Sequence, residues 1–146
     1  MKGLLAVAAA PCAVALVFAA SGVVALTGDA PLVWPARPAT LSEAMASRDQ
    51  GEVLRQVAAG VSLDMRYDVY GVIRPGEHTP STPLEAAIAT REDYMFQLAV
   101  AYGAHLGPDN AQVLFCLADA AKATGIRDAL KEKFGAQSCE GVRLPW

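Results

Sequence analysis

The 146-residue chain has only two histidines, three cysteines and no cluster of basic residues, and each shortage removes a class of function. Nucleic acid is held by clustered cations, whereas Arg48, Arg55, Arg66, Arg74 and Arg91 are scattered among acids and the formal net charge is −3. That balance offers no electrostatic basis for binding nucleic acid. His78 stands beside Glu77 with no second His or Cys at ligand spacing, so no metal site is expected. No Ser, Cys or Thr occupies a nucleophile elbow, and no glycine-rich loop is present to cradle phosphate. Catalytic residues and cofactors are therefore expected to be absent. A metal-binding or enzymatic site would require His78, Glu77 and His105 to meet in one cleft, and this is kept as the minor alternative. With an export or membrane segment set aside, about 115 to 120 residues remain, enough for one modest core but not for two domains.

What is present begins with an apolar run. Residues 3–26 carry no charge and consist mainly of Ala, Val, Leu and Phe. As a helix they would reach about 36 Å, enough to span a bilayer. The chain's mean hydropathy of +0.28 owes most to this stretch. Lys2 precedes it and Asp29 follows it, which orients the N-terminus to the cytoplasm. The expectation is a retained transmembrane helix or signal anchor over residues 1–26 in a bacterial inner membrane, with a periplasmic domain. A cleaved signal peptide, using the small residues Ala19, Ala20 and Gly22, is the alternative and gives a secreted or periplasmic protein. Residues 27–39 hold Gly28, Pro31, Pro35 and Pro38 around Trp34 and read as an extended, Pro-rich linker.

Residues 82–106 have the strongest pattern in the chain. Thr82 is a helix cap, Pro83 is tolerated in the first turn, and Ala86 and Ala87 permit close helix packing. Met95, Phe96, Leu98, Ala99 and Tyr102 recur at spacings of about three and four, and Gly103 ends the second helix. The same residue types recur upstream, where Leu41, Ala44, Met45, Gly60, Val61 and Leu63 match Leu84, Ala87, Ile88, Gly103, Ala104 and Leu106. Leu114, Leu117, Leu130, Phe134 and Gly135 repeat the pattern downstream. Thr40 and Glu43 form a capping-box signature ahead of the first unit.

Thr82-Pro83-Leu84 resembles the opening turn of an ankyrin repeat, with Glu85 where that family usually has His. The resemblance implies an all-α fold: a short solenoid of about three helix-turn-helix repeats, at residues 40–63, 82–106 and 112–136, preceded by one transmembrane helix. The third unit, opening at Gln112-Val113-Leu114, lacks the Thr-Pro signature and fits a C-terminal cap.

The first two units lie about ten residues further apart than the roughly 33 of ordinary ankyrin repeats, so residues 64–81 form an inserted finger. Residues 65–73 are rich in β-branched and aromatic types and are followed by turn signals, which predicts an enlarged hairpin or ordered loop. Insertions of this kind often carry the binding face of a repeat array. Arg66, Tyr67, Tyr70, Arg74 and His78 are accordingly the candidate partner-binding residues. The alternative is that Tyr67, Val69 and Ile73 fold back over the first unit. His105 is assigned a hydrogen bond in its turn. Cys116 and Cys139 are expected to form a structural disulfide that pins the tail, residues 137–146, across the last unit.

Ankyrin-like modules act by recognising partners. The resemblance therefore implies a non-catalytic protein–protein interaction module, such as an accessory or immunity-type partner, presented on the outer side of the cytoplasmic membrane. A small accessory subunit of a membrane complex, assembled mainly through the transmembrane helix, is the alternative.

Overall fold

The computed structural model describes residues 38–145. In chain order it contains α1 (Leu41–Ala46), α2 (Gln50–Ala58), β1 (Tyr67–Tyr70), β2 (His78–Ser81), α3 (Pro83–Thr90), α4 (Asp93–Ala101), α5 (Pro108–Ala121) and α6 (Thr124–Phe134).

Local chemistry sets where the helices start. At α1 the Thr40 hydroxyl accepts the Glu43 N–H at 3.2 Å, and the Glu43 carboxylate accepts the Thr40 N–H at 2.9 Å. Thr82 and Glu85 repeat this reciprocal cap at α3, with 3.2 and 2.8 Å, and Pro83 occupies the first turn, where its missing N–H costs nothing. Helix α5 starts a turn earlier than the unit expected from residue 112. There Asn110 takes over the cap, accepting the Gly107 N–H at 3.1 Å and donating to the His105 carbonyl at 2.8 Å.

Each long-helix pair turns in the same way. Arg48, Arg91 and Lys122 take left-handed conformations with φ of 64°, 62° and 60°. Immediately after them, the N–H groups of Asp49, Glu92 and Ala123 donate to the carbonyls of Ala44, Ala87 and Ala118 at 2.9, 2.8 and 2.8 Å. These bonds satisfy carbonyls at the helix end that would otherwise lack partners. The result is three helical hairpins, α1–α2, α3–α4 and α5–α6, in which α1 packs on α3 and α3 on α5. Leu41, Met45, Ile88, Leu117, Ile126 and Leu130 form the centre, each no more than 2% exposed.

The segment between the first two helical hairpins is a two-stranded antiparallel sheet in which Tyr67, Asp68, Val69 and Tyr70 face Ser81, Pro80, Thr79 and His78. Strand alternation sends Val69, Thr79 and Ser81 inward and Asp68, Tyr70, His78 and Pro80 outward. The Ser42 hydroxyl donates to the Ser81 carbonyl at 2.7 Å and ties the sheet to α1.

This sheet corrects the expected fold class. The protein is mixed, mostly helical with a β-hairpin built into the core, and not an all-α ankyrin-like solenoid. The physical reason is that the β-branched and aromatic run finds a pairing partner in residues 78–81, and fully buried Val69 makes the hairpin part of the packing. Tyr102 is a second correction. Expected on the apolar face of its helix, it is instead the C-terminal cap of α4 and 52% exposed.

The expected membrane architecture is also corrected. Among the described residues no helix is long and apolar enough to cross a membrane. The longest, α5, has 14 residues, whereas a span takes about 20. The proposed anchor at residues 1–26, and the linker up to residue 37, lie outside the described residues. The inner-membrane and periplasmic placement therefore has no spanning helix behind it in the described structure.

Candidate functional site

The candidate residues fall into two neighbouring groups, one on the outer face of the hairpin and one in the cleft at its base. Tyr70 and His78 are a directly opposed cross-strand pair, and their rings lie 4.8 Å apart, centroid to centroid, at 45°. Tyr70 is 53% exposed, Met65 just before β1 is 60% exposed and Val72 in the turn after it is 45% exposed. Arg74 extends past the turn and pairs with Glu77 at 3.5 Å, both groups lying in solvent. Such a pair contributes little to stability.

Arg66 and Tyr67 are placed differently. The Tyr67 hydroxyl donates to the Ser62 carbonyl at 2.8 Å, which anchors the hairpin's base. Arg66 donates to the Pro80 carbonyl at 3.1 Å and to Glu85 Oε1 at 2.5 Å. Glu85 is 5% exposed, and its other carboxylate oxygen caps α3. Arg66 therefore holds the hairpin against α3 before it can hold anything else. Replacing Arg66 with Ala is expected to cost about 2 kcal/mol, less than the roughly 3–5 kcal/mol for breaking a fully buried pair because the guanidinium is half exposed. Arg66→Ala combined with Glu85→Gln should regain part of that loss. Urea unfolding of the two variants checks both expectations.

The cleft at the hairpin's base encloses about 250 Å³ and is lined by Leu63, Asp64, Arg66, Glu85, His105 and Asn110, among others. It is smaller than the roughly 300–1,000 Å³ of ordinary small-molecule sites. Its polar groups mostly bond one another. Asp64 accepts the His105 backbone N–H at 2.6 Å, and His105 Nε2 lies 3.0 Å from both carboxylate oxygens of Asp109. The hydrogen bond from His105 holds the Asp109 carboxyl below its ordinary pKa.

The structure does not bring His78, Glu77 and His105 together. His78 is stacked on Tyr70 and Glu77 faces Arg74, whereas His105 is bound to Asp109 in the cleft. Among the described residues there is no group of three or more His, Cys, Asp or Glu side chains placed to hold a metal ion.

Cys116 in α5 and Cys139 in the tail are joined by a disulfide. Sequence reasoning missed Asp64, Glu85 and Asn110 as the groups that fix the cleft. The Asn110 cap was legible as an Asn three residues after Gly107, ahead of an apolar run. Nothing local in the sequence announces that Asp64 meets the His105 backbone or that Arg66 meets Glu85.

No protein-family model, no characterised protein and no solved structure matches this chain.

Proposed function

We propose that the folded domain is a non-catalytic protein–protein interaction module that presents the outer face of its β-hairpin to a protein partner. The observation that carries this reading is the exposure of three large apolar or aromatic side chains along one short segment, Met65 just before β1, Tyr70 at its end and Val72 in the turn that follows, each 45% exposed or more. Exposed apolar and aromatic side chains on a rigid element are the residue types that anchor interfaces.

Recognition runs through side chains, because backbone groups on each hairpin edge are already engaged or missing. On β1, the Asp68 carbonyl accepts from the Thr40 hydroxyl at 2.9 Å and the Tyr70 N–H donates to Glu43 Oε1 at 3.1 Å. On β2, Pro80 has no N–H and its carbonyl is held by Arg66.

Excising the hairpin is a poor test, since it would remove buried Val69 and the Arg66–Glu85 pair. The informative comparison is affinity capture with the intact chain and with Tyr70→Ala/His78→Ala, whose exposed rings contribute little to the core. The variant should keep its melting temperature within a few degrees and lose at least about tenfold in partner affinity. Undiminished capture by a variant that also carries Met65→Ala and Val72→Ala would remove the hairpin as the contact surface.

A further inference from the structure

The disulfide does more than close a ring, because of where the tail goes after it. Beyond α6 the chain turns at Gly135, and the Ser138 carbonyl accepts from Gln112 Nε2 of α5 at 2.9 Å. Cys139 is then bonded to Cys116 in the middle of α5. After a turn in which the Val142 N–H donates to the Cys139 carbonyl at 3.3 Å, the tail brings Leu144 onto the core. Leu144 shares an apolar cavity of about 290 Å³ with Leu117 and Ala121 of α5, Ala89 of α3 and Ile73 of the hairpin. The C-terminal tail thus crosses α5 and ends in a cavity that Ile73, in the turn of the hairpin proposed to meet the partner, also lines.

We propose that the tail is a redox-dependent strap that seats the hairpin. The regulatory meaning of this device rests on reading the hairpin as the partner-binding element. Without the disulfide, the tail keeps the Ser138 carbonyl's contacts with Gln112 Nε2 at 2.9 Å and Cys116 Sγ at 3.8 Å, the bond from Gln137 Nε2 to the Phe134 carbonyl at 3.0 Å and the half-buried Val142, Leu144 and Pro145, with no fully buried side chain to hold a segment that gains chain entropy on release. Opening the bond withdraws Leu144 from the cavity that Ile73 also lines, leaves that cavity open to water and loosens the hairpin.

The chemistry balances with a small dithiol as reductant. Its thiolate attacks Cys139 Sγ, which is exposed, while Cys116 is 3% exposed. A mixed disulfide forms at Cys139, and Cys116 departs as the thiolate. The reagent's second thiol then attacks its own sulfur in that mixed disulfide, the reagent leaves as a cyclic disulfide, and the two cysteines carry the two protons.

Amide hydrogen exchange on the full chain, before and after dithiothreitol, tests the strap with no partner present. After reduction, verified by alkylation of Cys116 and Cys139, the Val142 amide should lose its protection and residues 67–73 should exchange at least about tenfold faster. The amides of α3 should speed up only through global unfolding, seen as exchange that depends steeply on urea, whereas residues 67–73 should speed up through local opening that depends on urea only weakly. In the oxidised Leu144→Ala variant, residues 67–73 should speed up while the disulfide remains closed. A reduced tail that stays protected, a hairpin indifferent to both changes, or hairpin exchange with the same steep urea dependence as α3 would each overturn the proposal. Because the readout involves no partner, failure of affinity capture would count against the hairpin as a contact surface and leave the strap standing.

Discussion

Replacing Cys116 and Cys139 together with Ser lowers the unfolding free energy by about 3 kcal/mol. The two cysteines are separated by 23 residues in sequence. Closing a loop of that length removes enough entropy from the unfolded chain for an effect of this size in the chain-entropy model. For a domain near 100 residues, that loss corresponds to a fall in melting temperature of roughly 12–24 °C. Thermal and urea unfolding of the oxidised chain, the dithiothreitol-treated chain and the double-Ser variant provide the measurement. The last two should coincide, since both lack the cross-link. Equal stability of all three would mean that the tail contributes no constraint to the unfolded state. The urea slope should rise for the two uncross-linked forms, because their unfolded chains expose more surface.

The helix boundaries were legible because their causes are local. Thr40 announces a helix start with Glu43 three residues on, and Thr82 does so with Pro83 beside it, and both caps are present. The recurrence of Leu41, Leu84 and Leu114 marks the helices that pack in succession, and all three are buried. The hairpin was legible only in part. Residues 65–73 have strand composition, but His-Thr-Pro-Ser at 78–81 does not, since Pro80 cannot donate to a ladder and His78 shows no strand preference. Their pairing is imposed from outside, by Ser42 donating to the Ser81 carbonyl and Thr40 to the Asp68 carbonyl.

Arg66 shows the same limit at the level of function. From sequence it has the residue type of an interface anchor, yet its partner Glu85 lies 19 residues away and is buried by the helices around it. Glu85 occupies the position where the family resemblance leads one to expect His. Here the carboxylate both caps α3 and binds Arg66, tasks that an imidazole could not share in the same way. Tyr70 and His78 stay exposed because the outward phase of the strands turns their side chains away from the core and onto each other.

Ile88→Ala is expected to destabilise the domain by about 3–4 kcal/mol, the other large effect. Ile88 is fully buried on α3, the helix that packs against α1 on one side and α5 on the other. Removing three carbons there costs the transfer energy of the lost methyl and methylene groups. It also leaves a cavity that the helix on either side is held from filling, which places the substitution in the upper part of the usual 2–5 kcal/mol range. Ala86 and Ala87, both fully buried, already bring the neighbouring helices close to α3, so the surroundings have little room to collapse further. Ile88→Val, which removes one carbon, should cost about 1 kcal/mol. Urea midpoints at constant slope measure both. A loss under about 1 kcal/mol for Ile88→Ala would show that the first and third helical hairpins do not meet through α3, and the hairpin of β1 and β2 would then lose the platform that turns Tyr70 and His78 outward.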